Sequence, residues 1–212
     1  MTVPERDIAY YAVLEAIQGE GCPLCRMVEA RVKGYLERLM AEAVTSVRFR
    51  AEWRDSRGFC HHHSWLLADA HHVLGLAILY ADLTDNWGEK LLTEPVARNC
   101  PACHAEAEIE KQFQHVVARH WPDPELQQAV AASDGLCGPH LRTALPGFRL
   151  RAVRAAFLAA STRKLKELAP ALHRLTKSFD SQVETRLQDG DAEAWQTTME
   201  KLVGARKAKA KP

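Results

Sequence analysis

The sequence predicts an all-α fold: a helical domain with an internal duplication, each half stapled by a Cys3His metal site. Three observations lead there. Apolar residues recur at helical spacing along most of the chain, strand-like alternation is missing, and a C-P-x-C segment followed by G-apolar-C-x-x-H occurs twice.

The elements follow in order from that periodicity. Thr2, Pro4 and Glu5 read as a capped helix start, and Ile8, Leu14 and Ile17 supply the apolar face of a first helix that ends at Gly19 and Gly21. Val28, Val32, Tyr35, Leu36, Leu39 and Met40 then fall on one face of a second helix. A return segment from Val47 to Trp53 leads to Ser56, Arg57 and Gly58. Leu66, Val73, Leu76, Ala77, Tyr80 and Leu83 continue at helical spacing. Ile109, Phe113, Val116 and Val117 repeat the theme before a break at Pro122 and Pro124. After Pro146 and Gly147 a long helical stretch is expected, interrupted at Pro170, with Leu172, Leu175, Phe179, Val183 and Leu187 on one face. The last helix is expected near Asp191, carrying Trp195, Met199 and Leu202.

Composition narrows the function classes. The 212 residues include 47% hydrophobic ones, enough for a sizeable core, and 28 basic against 27 acidic side chains leave a formal charge of +1. No global field draws the chain to nucleic acid or to an anionic membrane. Glu5, Arg6 and Asp7 interrupt the N-terminus where a signal peptide needs an apolar run, so a cytoplasmic location is expected and membrane binding is not. In a reducing compartment, paired cysteines serve as metal ligands or redox groups more often than as disulfides. The tail beyond residue 203 holds Arg206, Lys207, Lys209 and Lys211 without an acid; it reads as a disordered basic tail, and nucleic-acid contact is expected nowhere else.

The repeat carries the chemistry. GCPLC (21–25) precedes GFCHHH (58–63), and NCPAC (99–103) precedes GLCGPH (135–140). Between the inner cysteines lie 34 residues in the first half and 33 in the second, and all six cysteines are used. A C-x-x-C pair and a C-x-x-H pair together supply the four donors of a tetrahedral structural zinc site. Proline after the first cysteine suits a helix N-terminus, where unpaired N–H groups favour thiolates, and Gly58 and Gly135 suit tight knuckles. Taken half by half, the ligands are Cys22, Cys25, Cys60 and His63 for one site and Cys100, Cys103, Cys137 and His140 for the other. Two zinc ions per chain are expected, with iron–sulfur clusters in the same donors as the alternative. A thioredoxin-like reading of C-x-x-C lacks its strand–helix context, and a haem reading of CPACH fails because Arg26 stands where His104 would have its counterpart.

The expected organisation is residues 1–97 with the first site, 98–147 with the second, 148–203 as C-terminal helices packing on both, and 204–212 as the tail. His61, His62, His71 and His72 surround His63 and read as hydrogen-bonding or surface groups before a second metal site. Trp53, Trp65, Trp87, Trp121 and Trp195 read as packing residues. No phosphate-binding loop, G-x-S-x-G or H-E-x-x-H is present, and no residue is assigned a catalytic role. Closed four-donor sites point to a scaffold or adaptor; a redox or metal-handling protein is the alternative. An unidentified protein partner or self-association is expected through residues 148–203, whose Phe157, Leu172, Phe179 and Trp195 exceed what one small metal-stapled half covers.

At GCPLC, SRGFCHHH and LGLAILYADL the sequence resembles a family of uncharacterised prokaryotic proteins, in which a GCPLC segment and an SRGFCxxH segment each precede a helix. The resemblance extends to the second pair of motifs and to DGDAEAWQTTMEKLVG near the C-terminus. It implies a metal-bound, all-helical domain and transfers no activity.

Overall fold

The computed structural model describes residues 4–69, 73–89, 93, 100–180 and 185–205. Among these residues there are ten α-helices and no strands: α1 (Ile8–Gln18), α2 (Pro23–Arg38), α3 (Val47–Asp55), α4 (His61–Asp69), α5 (Val73–Trp87), α6 (Pro101–His120), α7 (Pro124–Ala132), α8 (Gly138–Ala144), α9 (Arg151–Ser178) and α10 (Ala194–Val203). A π turn at Leu39–Ala43 prolongs α2, and a 3-10 turn at Leu145–Gly147 precedes α9. No helix among the described residues is long and apolar enough to cross a membrane.

Local chemistry explains most boundaries and corrects several expected ones. Thr2 lies outside the described residues; α1 starts later, where the Asp7 side chain accepts the Tyr10 N–H at 2.8 Å. The return segment is itself a helix, α3, capped by Ser46. The expected break at Pro170 does not occur. That proline is exposed inside a continuous α9, on a side where the carbonyl it leaves without an intrahelical donor can turn to water. Helix α9 ends at Ser178, so Leu187 lies beyond it, and Val183 lies outside the described residues. The last helix begins at Ala194 rather than Asp191 because the buried Asp191 carboxylate is already engaged. It accepts from Arg174 at 2.7 and 2.8 Å and from Gln188 N–H at 2.8 Å, which holds the preceding residues as a turn.

The chain divides into two compact units. One takes residues 4–27 and 110–205, the other residues 28–109. In the first, α7 packs against α1 and α9, and α10 against α8 and α9. Buried Asp123 fixes α1 to α7: Arg6 donates two hydrogen bonds to it at 2.8 and 3.0 Å, and Tyr10 Oη donates a third at 2.8 Å. These donors hold its carboxyl below the usual range although burial alone would raise it. Phe113, Phe148 and Phe157 form a buried aromatic cluster, the last two stacked at 5.5 Å. In the second unit α3 packs on α5 around fully buried Trp53, whose Nε1–H donates to the Leu79 carbonyl at 3.0 Å. Asp82 closes the same contact by accepting from Arg50 and Arg54.

The tryptophans do not share one role. Trp53 is buried and Trp87 and Trp121 are half-buried, whereas Trp65 and Trp195 are 62% and 48% exposed. Phe157 is likewise core while Phe179 is exposed.

Candidate metal centres

All eight cysteine and histidine donors read from the sequence gather into two clusters, but with exchanged partners. Cys22 and Cys25 meet Cys137 and His140; Cys60 and His63 meet Cys100 and Cys103. The half-by-half pairing of Cys22, Cys25, Cys60 and His63, and of Cys100, Cys103, Cys137 and His140, is therefore corrected. Each cluster lies wholly within one unit, the first in 4–27 with 110–205 and the second in 28–109.

The physical reason for the exchange is visible next to the first cluster. With α1 clamped to α7 through Asp123, the loop after α1 meets the loop after α7, and Gly21 N–H donates to Asp134 Oδ2 at 2.8 Å. Asp134 stands one residue before Gly135, which opens the turn into Cys137. The C-x-x-H pair that follows α7 therefore lies beside Cys22 and Cys25. Spacers of 34 and 33 residues offered no basis for telling the two pairings apart.

Each C-x-x-C begins a helix as expected, with Pro23 and Pro101 as the first helical residues of α2 and α6. Gly58 and Gly135 both have positive φ, +86° and +68°, so each knuckle uses a backbone region open to glycine. The requirement is stricter at Gly135: a Cβ there would come within 2.5 Å of Ser161 N and 2.9 Å of Ser161 Cα in α9. Ser161 fills that approach with hydrogen bonds, accepting from Leu136 N–H at 2.9 Å and donating to the Leu136 carbonyl at 3.0 Å.

The donor geometry fits one tetrahedral ion. Zinc–sulfur bonds of roughly 2.3 Å and zinc–nitrogen bonds of about 2.0–2.1 Å put tetrahedral sulfurs about 3.8 Å apart and sulfur and nitrogen about 3.6 Å apart. Cys25 and Cys137 Sγ are 3.7 Å apart, and Cys60 and Cys103 Sγ 3.6 Å. His140 Nδ1 lies 3.2–3.4 Å from Cys22, Cys25 and Cys137, and His63 Nδ1 3.2–3.5 Å from Cys60, Cys100 and Cys103. In each cluster all four donor atoms lie within 4.8 Å of one another, and none of the six cysteines is disulfide-bonded. The site residues fit the ion that the donor types imply.

Titration behaviour follows from the same crowding. Burial opposes charge on the two imidazoles, but the facing thiolates outweigh it and push both up to about 10, with Glu106 adding to the effect on His63. Cys22 is lowered by hydrogen bonds from Cys137 and Cys25, while Cys25 is raised by the same neighbours. Burial pushes Cys103 up to about 12; Cys100 is lowered to about 6 because His63 and two backbone N–H groups overcome its burial. A divalent cation displaces these shared protons, so metal uptake releases them.

Two acidic side chains beside the cluster histidines escaped the sequence reading. His63 Nε2 lies 3.2 Å from Glu106 Oε1, within ion-pair range although short of a well-aligned hydrogen bond, and His140 Nε2 lies 3.4 Å from Glu110 Oε1. Carboxylates behind metal-binding imidazoles orient the ring and raise its basicity. Their signal was present: in α6, Glu106 and Glu110 follow Cys103 by three and seven residues, the spacing of one helical face. The corresponding positions after Cys25 hold Val28 and Val32, so α6 supplies both acids.

Of the neighbouring histidines, His62 joins His63 and Glu106 in a close group, its ring centroid 4.8 Å from that of His63, and His61 contacts the Trp65 ring. His71 and His72 lie outside the described residues, as does the tail from residue 206.

An all-helical fold, among the described residues, with two Cys3His groups that could each hold a metal ion is the class that fold and sites define. Residues 5–96 match the sequence model of a family of unknown function, DUF6062. The match holds Cys22, Cys25, Cys60 and His63, half of each cluster, and ends before Cys100, so the resemblance expected over most of the chain is found over this part. No curated protein and no solved structure matches the chain.

Proposed function

We propose that the chain is a zinc-binding helical scaffold that acts through macromolecular binding in the cytoplasm, each unit held by one mononuclear Cys3His zinc site. The observation that carries this reading is that in each cluster the histidine Nδ1 lies 3.2–3.5 Å from all three sulfurs and the four donor atoms lie within 4.8 Å of one another, a spacing that one tetrahedral ion can bridge. Four protein donors fill the coordination sphere and leave no position for substrate or activated water, which favours a structural ion over a hydrolytic one. An iron–sulfur cluster would spread the same thiolates over separate irons and set them farther apart, so the close spacing favours one ion. A duplication whose halves exchange ligand pairs accounts for both the repeated motif and the crossed pairing.

Elemental analysis with an absorption spectrum of protein purified without chelator tests the reading. Two zinc ions per chain and no visible bands are expected. One ion or none, or a brown protein with sulfide-to-iron absorption, would overturn it.

A further inference from the structure

The C-terminal helix α10 supplies no donor to either cluster, yet it and the residues after it close over the first one. Lys201 in its last turn is buried, and the ammonium donates to the Asp134 carbonyl at the entry to the turn that leads to Cys137. The Leu202 carbonyl lies over Gly138, where a Cβ would come within 2.5 Å of it. Gly204 then turns the chain at φ +95° and ψ 156°, a region closed to residues with a side chain, and Ala205 N–H donates to Cys25. One short segment thus touches the loops of both ligand pairs, Cys22 with Cys25 and Cys137 with His140.

Charge shows what such a cover does. Three thiolates and a neutral imidazole around a divalent ion carry one net negative charge, which is costly to bury without compensation. Glu110, behind His140, adds to the negative charge. Asp134 and Lys164 pair at 2.8 Å and largely cancel. Arg142 reaches the same turn at Gly138 but is exposed, where water and salt screen it. Lys201 is only 8% exposed, and it lies close enough to Cys22 and Cys137 for their attraction to act on its charge. A cation that deep acts through little water and outweighs the exposed guanidinium.

We propose that α10 is a strap that retains the metal ion of the first cluster, with the Lys201 ammonium balancing the metal–thiolate charge and the Ala205 N–H steadying Cys25. Lys201 is then a positioning residue: it ligates nothing and sets how long the ion stays. The inference rests on the reading that the clusters hold divalent zinc.

A chelator challenge of the full, zinc-loaded chain tests it. Excess EDTA with iodoacetamide, mapped over time by mass spectrometry, reports when each cysteine loses its ion, and Cys60, Cys100 and Cys103 serve as the control within each sample. Lys201→Gln keeps a donor without the charge. It should speed labelling of Cys22, Cys25 and Cys137 about 10–100-fold and leave the other three at the parent rate. Lys201→Arg keeps the charge in a bulkier side chain and should label more slowly than Lys201→Gln; a residue that only fills space or donates would give the opposite order. Gly204→Ala displaces the Ala205 N–H and should speed the same three cysteines by a smaller factor, so a test remains should Lys201→Gln fold poorly. Parent rates in both Lys201→Gln and Gly204→Ala, an Arg variant as fast as the Gln variant, or equal acceleration of all six cysteines in Gly204→Ala would overturn the proposal. Failure of the zinc reading would appear separately, as a parent chain that carries no zinc before EDTA is added.

Discussion

The two Cys3His clusters use the same donor types and differ in what holds them. Around Cys22, Cys25, Cys137 and His140 the supports come from far along the sequence. Ser161 of α9 ties down the knuckle, Asp134 takes Gly21 N–H and pairs with Lys164 at 2.8 Å, and buried Lys201 of α10 donates to the Asp134 carbonyl. Ala205 N–H, just past α10, donates to Cys25. Lys201 also lies close enough to Cys22 and Cys137 for attraction to resist the loss of its charge on burial. Three thiolates around a divalent ion leave one net negative charge, and a buried ammonium beside it offsets that charge. Around Cys60, His63, Cys100 and Cys103 the knuckle is supported locally: Gly58 N–H donates to the Trp53 carbonyl at 3.0 Å and Ser56 Oγ to the same carbonyl at 3.0 Å. One donor set thus serves two ends. The first centre gathers α1, α9 and α10 into one unit, whereas the second finishes the compact packing of α3 to α5.

On the proposed zinc reading, metal removal should have the largest effect on both arrangements. A structural zinc ion contributes on the order of 10–16 kcal/mol, against total stabilities of about 5–15 kcal/mol for domains. Strong chelators should abolish the helical circular dichroism cooperatively. A fully helical apo-protein with unchanged thermal stability would show that the fold does not depend on its ions.

The glycines sharpen the comparison at smaller scale. Gly58→Ala places a Cβ at positive φ against side-chain atoms, Leu83 Cδ1 at 3.1 Å and Trp53 at 3.3 Å, which can shift. A cost of about 1–2 kcal/mol is expected. Gly135→Ala meets the α9 backbone at Ser161, which cannot shift without moving the helix, and should cost about 3 kcal/mol or more. Urea denaturation of the metal-loaded variants measures both. Equal losses would mean that Ser161 does not brace the first knuckle.

Much of this was readable from residues alone, and the unread part has a common cause. Proline after the first cysteine, glycine before the third and the histidine three positions later act locally, so helix starts, knuckles and the eight residues that gather into the two clusters were legible. Which pair meets which is decided by contacts such as Gly21 with Asp134 and Tyr10 with Asp123, each joining residues 113 apart in the chain. Nothing in two spacers of nearly equal length encodes that choice. Glu106 and Glu110 were missed for the opposite reason: their helical spacing from Cys103 was plain, but acids on a helix are commonplace until an imidazole is found facing them.

The crossed pairing of ligands is the central claim, and thiol labelling tests it most directly. Cys60→Ala with His63→Ala removes two donors from one cluster. Iodoacetamide under native conditions, mapped by mass spectrometry, then reports which thiolates lost their ion. The crossed arrangement predicts that Cys100 and Cys103 become reactive while Cys22, Cys25 and Cys137 stay protected. Reactive Cys22 and Cys25 beside protected Cys100 and Cys103 would contradict it.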